Sequence, residues 1–186
     1  RGNTAWVLRA LHGAGARGVV LGVFIDPALA AEAHGAGEGA RFEAVFNRVE
    51  SEFSKRFAAP ARVLALRDGK GVGRRGTMAG RRFDLGPSAL LELDGSGLRV
   101  AVGSLRRQLL EPRMLEMHGV DIAAARCVVV KSRGHFRAGF DEFFPDDRIF
   151  EVDAPGLTSP VLANFNWRRL PRPVFPLDPE AEWREP

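Results

Sequence analysis

The side chains best suited to chemistry form a short polar cluster behind an apolar run. Residues 127–130 read as a β-strand, and Lys131, Ser132 and His135 follow it closely. Phenylalanines then recur at helical spacing, so the cluster lies in a turn between a strand and a helix. In open α/β sheets this is where ligands bind, because free backbone N–H groups and the helix dipole favour an anion. The pattern predicts an anion site, with an ordinary solvated turn as the alternative.

Two further polar clusters follow apolar runs in the same way. Residues 104–108, which include Arg106, Arg107 and Gln108, come directly after the run 98–102. Residues 153–159 follow the run 149–152, which we interpret as another short strand. Three polar strand ends are therefore predicted.

The elements that must position these clusters indicate an α/β fold. The run 19–25 is apolar almost throughout, which is typical of a strand covered on both faces in a partly parallel sheet. Asp26 then caps a helix over 28–34. Alternating residues in 40–66 predict antiparallel strands, and 89–102 reads as a hairpin. We predict a single domain with a mixed, partly parallel sheet flanked by helices.

Local signals place the remaining elements. Asn3 or Thr4 can cap a first helix, and Glu111-Pro112 starts another. Residues 67–82 are rich in glycine and basic side chains, which predicts a flexible basic loop or a hairpin. The Arg- and Pro-rich tail from residue 164 should lie extended over the surface as a strap.

Composition excludes several classes of protein. The chain has 186 residues, 45% of them hydrophobic and 27% charged, which suits one globular domain. It lacks an apolar run near the ~18 residues of a membrane span and lacks a signal-peptide pattern, so we expect a cytoplasmic protein with no membrane association. Cys127, the single cysteine, is expected to be a buried structural thiol. Most of the basic residues are Arg in an Ala- and Gly-rich chain, a bias typical of a GC-rich genome, which argues against nucleic-acid binding despite the net charge of +4.

The four histidines show no metal-ligand spacing. His12, His34 and His118 stand near helix ends beside glycines, where a solvated or capping histidine is the usual explanation. His135 alone belongs to a polar strand-end cluster, so we favour it as a substrate-facing residue over a zinc ligand.

Several separated motifs, in order, carry a resemblance to a known family. They are 85–89 (Leu-Gly-Pro-Ser-Ala), 104–108, Glu111-Pro112, 130–132, 135–138, 152–156, Arg172-Pro173 and 176–178. Together they resemble the C-terminal domain of the MlrC family, which contains the microcystin-degrading metallopeptidase microcystinase C. The resemblance spans nearly the whole chain.

The resemblance implies a role within a zinc metallopeptidase. In the family an N-terminal domain supplies the metal ligands, and the C-terminal domain packs beside it to complete the substrate cleft. Residues 1–186 would then be the C-terminal domain of a longer chain, with zinc bound by the preceding domain and none bound here. Residues 1–4 (Arg-Gly-Asn-Thr) stand where the family usually has Gly-Asp-x-Thr, so the acidic position is missing or lies outside this sequence, and a role for that carboxylate does not carry over.

Roles for individual residues follow from their chemistry in such a cleft. Lys131 and Arg137 can bind a peptide carboxylate, and His135 can act as the catalytic group that shuttles a proton beside a zinc-bound water. Ser132, Thr158 and Ser159 offer hydroxyl contacts. Arg106, Arg107 and Gln108 can line the same cleft or hold an interdomain contact. A structural hydrogen bond is the alternative for each.

We therefore expect the parent protein to hydrolyse amide bonds in small or linear peptides, and the chain alone to be inactive. The alternative is a non-catalytic anion-binding or interaction domain. Substrate identity, microcystin degradation and oligomeric state stay open, because function lives in the site and the fold does not fix it.

Overall fold

We describe residues 3–132, 134–156 and 161–182 of a computed structural model. The helices are α1 (Trp6–Gly13), α2 (Pro27–Ala36), α3 (Arg113–Glu116) and α4 (Arg137–Phe140). The strands are β1 (Val19–Ile25), β2 (Arg41–Phe46), β3 (Phe57–Arg67), β4 (Lys70–Val72), β5 (Arg82–Asp84), β6 (Ser88–Leu93), β7 (Leu98–Gly103) and β8 (Cys127–Val130). Short 3₁₀ turns follow β4, α4 and residue 161.

Six strands form one mixed sheet in the order β2-β3-β6-β7-β1-β8. Strand β1 pairs in parallel with β7 on one side and with β8 on the other, whereas β2, β3, β6 and β7 pair antiparallel in sequence. The predicted mixed, partly parallel sheet is confirmed, and β1 is buried on both faces as its apolar sequence indicated.

Each face of the sheet carries its own apolar cluster, because successive side chains of a strand point to opposite faces. One cluster joins Leu8 of α1 and Leu29 of α2 to the sheet, and it includes Phe24 and Phe46, whose rings meet edge to face at 5.1 Å. The other joins α3 and α4 to the opposite face through buried Leu115 and Phe140. Complete burial of each such side chain contributes about 1.5–3 kcal/mol.

Helix starts agree with the sequence in one case and differ in the other. The Asp26 side chain accepts a hydrogen bond from the Leu29 backbone N–H at 2.9 Å and so caps α2, as predicted. The predicted cap of α1 is wrong: the N-cap is Ala5, and no side chain caps this helix. The Asn3 side chain instead binds the end of β1, where its Oδ1 accepts from the Ile25 N–H at 3.2 Å.

Of the two structures predicted for residues 67–82, a flexible basic loop or a hairpin, the hairpin is observed. Strands β4 and β5 pair antiparallel, and ion pairs hold the connecting segment. Arg74 contacts Glu116 of α3 at 2.6 Å and also Glu142 beyond α4, while Arg75 contacts Asp141 at 2.6 Å. The basic residues of this segment therefore fasten it to two helices.

Two local predictions are wrong, and of the two explanations offered for His118 the solvated one is wrong and the capping one is confirmed. Residues 149–152 form no strand. Cys127 is exposed because β8 lies at the edge of the sheet, although partial burial raises the pKa of its thiol. His118 is 3% exposed, with Nε2 at 2.9 Å from Ser88 Oγ and Nδ1 at 3.2 Å from the Met114 carbonyl oxygen. Burial lowers the pKa of His118 to about 4.

The other two helix-end histidines also contact protein groups. His12 Nδ1 lies 2.9 Å from Ser96 Oγ, and His34 Nε2 lies 3.1 Å from the Ser88 carbonyl oxygen. Within the described residues, no helix has the length and apolar character needed to cross a membrane.

Candidate functional site

The carboxyl ends of three parallel strands meet at one edge of the sheet. Ile25 of β1 lies in register with Gly103 of β7, and Gly22 of β1 lies in register with Val130 of β8. Residues 104–108 and 131–132 leave the sheet at this edge. Two of the three predicted polar clusters are therefore brought together, where ligands bind in open α/β sheets.

A cavity of about 670 Å³ opens at this edge, and we call it the cationic cavity. Its apolar lining includes Val23, Ile25 and Met114. Its polar lining consists of Asn3, Arg106, Arg107, Gln108 and Lys131.

The charges that line the cationic cavity all have one sign. Arg106, Arg107 and Lys131 are cations, and none of the described residues that line the cavity is acidic. Arg107 Nε donates to the Asp84 backbone carbonyl at 3.3 Å, and exposed Arg106 makes no hydrogen bond or ion pair to another described residue. Cations without carboxylate partners in a concave site produce a positive potential that favours a carboxylate or a phosphate.

Neutral groups hold Lys131 in the lining of the cationic cavity. Its Nζ donates to Asn3 Oδ1 at 3.1 Å and to the Thr4 carbonyl at 3.2 Å, and it lies 4.7 Å from the centroid of the Phe24 ring. Burial without a carboxylate partner lowers the pKa of Lys131 to about 8. An anion in the cavity would raise this pKa, because it would stabilise the ammonium form.

A second concave surface, of about 820 Å³, runs along the edge strand, and we call it the β8 groove. It is lined by β8, by α1, by the aromatic residues around α4 and by residues 148–156, and it shares Lys131 with the cationic cavity. Ser132 lines it too, and within the described residues the buried Ser132 Oγ has no hydrogen-bond partner. Arg137 lines the groove while pairing with Asp146 at 3.3 Å and Glu151 at 3.1 Å.

The structure places the predicted site residues in three groups. Arg106, Arg107, Gln108 and Lys131 line the cationic cavity, and Ser132 and Arg137 line the β8 groove. His135 is exposed in the turn before α4 and lines neither surface. Thr158 and Ser159 lie outside the described residues.

Asn3 is a site residue that we interpreted from sequence as a helix cap. Its side-chain amide links the end of β1 to Lys131, 128 positions away along the chain. Local sequence patterns carry no signal for a contact at that separation.

The resemblance implies a zinc ion in the parent protein. The part of the chain that the structure describes contains no set of ligands for it. No group of three or more His, Cys, Asp or Glu side chains is close enough there to hold a metal ion. This arrangement can bind and orient an anion but offers no described metal centre.

Comparisons with known proteins agree with the fold. The structure resembles the crystal structure of a "Putative metallopeptidase" from Mesorhizobium sp. BNC1 with a TM-score of 0.78 and 24% sequence identity. The match covers 98% of this chain and 36% of that protein, so the chain spans just over a third of its relative's length. No curated protein sequence matches the chain. The family model described as MlrC C-terminus matches residues 1–169, and the chain belongs to this family.

Proposed function

We propose that this domain forms one wall of the substrate cleft of a metallopeptidase and that its cationic cavity binds a carboxylate group of a peptide substrate. The observation that carries the proposal is the set of three cations, with no described acidic residue, at the shared carboxyl edge of β1, β7 and β8. Membership of the MlrC C-terminus family and the likeness to a larger protein named as a metallopeptidase support the enzymatic context.

The side chains present indicate which role this domain has and which role another domain must have. A preceding domain would bind the metal, zinc in this proposal, which would supply a Lewis acid for amide hydrolysis. This chain supplies orientation: Arg106 and Arg107 can bind a carboxylate through paired N–H groups, and Lys131 adds a point charge. Gln108 offers an amide contact in the same cavity, and the Asn3 amide, bonded to Ile25 and Lys131, positions the Lys131 ammonium.

A binding experiment tests the carboxylate site. An acetylated dipeptide with a free carboxylate and the same peptide as its C-terminal amide are titrated into the protein by calorimetry. The free acid should bind at least about tenfold more tightly, because each charge-assisted hydrogen bond contributes roughly 1.5–3 kcal/mol. Equal affinity for acid and amide would overturn the proposal.

Matched variants assign the binding to this cavity. Arg106→Gln removes an exposed cation from the cavity, and we expect it to weaken binding of the free acid about tenfold. Arg62→Gln removes an exposed arginine of β3 that lies outside the cavity, so it should leave the affinity unchanged. In the full-length protein Arg106→Gln should raise KM with little change in kcat, since the contact is the same in ground state and transition state.

A second function, a non-catalytic anion-binding domain, is favoured by one observation. The described lining of the cationic cavity contains no carboxylate or histidine to act as a general base, and His135 lies outside it. Peptide hydrolysis by the full-length protein, lost when metal is removed and restored by zinc, would decide for the peptidase. Tight binding of the acid without any hydrolysis would decide for the binding domain.

A further inference from the structure

Strand β8 forms one edge of the sheet. Its inner edge pairs with β1, and among the described residues no backbone hydrogen bond reaches its outer edge. Residues 127–130 contain no proline and no charged side chain, the usual devices that block addition of another strand. No described residue therefore blocks pairing of the outer backbone edge of β8 with an extended chain.

The β8 groove offers apolar surface on both sides of that free edge. Val129 packs with the cluster that includes Leu11 of α1, whereas Val128 and Val130 pack with the opposite cluster, which includes Phe143 and Phe144. A strand placed beside β8 directs its side chains alternately to these two faces. The side chains that the added strand directs to either face would contact apolar residues. The groove therefore suits a chain that is apolar at consecutive positions.

The rim of the groove is also apolar. Phe150 is 83% exposed and Val152 is 67% exposed, and both line the groove. Large apolar side chains so exposed at the rim of a concave surface mark binding sites.

The end of the groove favours one direction for the bound chain. Lys131, directly after β8, lines both the groove and the cationic cavity. A peptide that runs parallel to β8 would bring its own carboxyl end to Lys131, where the groove meets the cationic cavity, whereas an antiparallel peptide would bring its ammonium group to this cation. The buried Ser132 Oγ, which lacks a described partner, lies at the same end.

We propose that the β8 groove binds an extended apolar peptide as an added parallel strand on β8, with its C-terminal carboxylate in the cationic cavity. This inference rests on the proposed function and names its substrate class: unfolded or linear peptides with several consecutive apolar residues and a free carboxyl terminus. Main-chain pairing supplies affinity, and the two apolar surfaces select the side chains.

The test uses four fluorescein-labelled peptides that carry the same five apolar residues after a Gly-Ser linker. One has a free carboxylate and one a C-terminal amide. The other two have a free carboxylate and N-methyl groups, at odd positions in one and at even positions in the other. In a strand, successive backbone N–H groups point to opposite sides, so only one N-methyl pattern blocks pairing with β8. Binding is measured by fluorescence anisotropy.

We expect the unmodified peptide and one N-methylated peptide to bind with similar affinity. The other N-methylated peptide should bind about tenfold or more weakly, since it loses two backbone hydrogen bonds if the even positions face β8 and up to three if the odd positions do. The amide should also bind about tenfold more weakly because it loses its charge. Equal loss with both N-methyl patterns, or no loss with either, overturns strand addition.

The outcomes separate this inference from the proposed function. If amidation weakens binding but neither N-methyl pattern matters, the carboxylate site stands and strand addition is refuted. If one N-methyl pattern matters but amidation does not, strand addition stands and the carboxylate site is refuted. If no peptide binds and sedimentation shows a dimer through this edge, the edge belongs to a second copy and the inference is refuted.

Two exposed phenylalanines provide a matched pair of variants. Phe150→Ser removes apolar surface from the groove and should weaken binding of the unmodified peptide about fivefold or more. Phe175 is 76% exposed and does not line the groove, so Phe175→Ser should leave binding unchanged. Both side chains are on the surface, so both variants should fold. Equal effects of the two substitutions would refute the placement of the peptide.

Discussion

Because the Lys131 ammonium is buried, the free energy of unfolding should depend on pH in the alkaline range. An ordinary lysine has a pKa of 10.5, and burial lowers that of Lys131 to about 8, a difference that corresponds to about 3 kcal/mol. Between these values the unfolded chain keeps a proton that the folded chain has released. Because the unfolded state then binds more protons, the free energy of unfolding rises with pH from about 8 to 10.5. Below pH 8 the full cost of burying the charge is present.

The sequence contains few other side chains that titrate in this pH range, so the pH dependence can be assigned to Lys131. The chain has no tyrosine, and Lys131 is accompanied by only two other lysines, Lys55 and Lys70. Cys127 is the complication, because burial raises the pKa of its thiol and its contribution to stability falls with rising pH. Both proteins in the comparison therefore carry Cys127→Ala.

The perturbation is Lys131→Met, which keeps the length of the side chain and removes the titrating group. Unfolding by guanidinium chloride, followed by circular dichroism, gives the free energy of unfolding at half-unit steps from pH 7 to 11. The difference between the protein with Lys131 and the Met variant should change by about 3 kcal/mol in favour of lysine across this range. A difference that stays constant with pH would refute the burial of the ammonium and, with it, the electrostatics of the cationic cavity.

Four further substitutions test the fold. As pH falls from 6.5 to 4, the protein should lose about 3 kcal/mol of stability relative to the His118→Gln variant, because folding holds the pKa of this histidine near 4. Chemical denaturation of both proteins at each pH measures this difference. Gly139→Ala would place a Cβ 2.4 Å from a backbone carbonyl oxygen and should lower stability by about 1–3 kcal/mol in thermal unfolding. Gly35→Ala in α2 meets nothing within 4 Å and should raise it by about 0.5–1 kcal/mol. Buried Glu111 accepts the Arg74 and Arg113 N–H groups at 2.8 and 2.7 Å, so Glu111→Gln should cost about 1–3 kcal/mol in chemical denaturation.

Local patterns predicted most of the sheet because each strand carries its own signal. The apolar run of β1 and the Asp-Gly-Ser-Gly turn between β6 and β7 depend on neighbours in sequence alone. The wrong assignments depend on distant contacts. Cys127 is as apolar in sequence as a core residue, but its exposure follows from the position of β8 at the sheet edge. His118 is buried with a hydrogen bond between its ring and Ser88, 30 positions away, which offsets the cost of removing the imidazole from water.

The site was predictable to a similar extent. Polar residues after apolar runs predicted that 104–108 and 131–132 follow strands and lie at one edge, and the structure places them there because parallel strands share a carboxyl edge. The run 149–152 carries the same pattern but forms no strand, so the third cluster is not a strand end. The role of Asn3 and the free edge of β8 required the order of strands, which no single strand sequence specifies.

The hairpin that Arg74 and Arg75 fasten to α3 and α4 has a consequence for motion. Each of these helices has four residues, about one turn, and isolated helices of that length do not form in water. The two helices are therefore stable only while they pack against the hairpin and the sheet. We expect this layer to unfold locally as a unit, with a lower free energy of opening than that of strands β6 and β7. Amide hydrogens of α3 and α4 should exchange with solvent before those of the central strands. Met114 and Phe140 belong to this layer and line the cationic cavity and the β8 groove, so the two concave surfaces share their most readily opened wall.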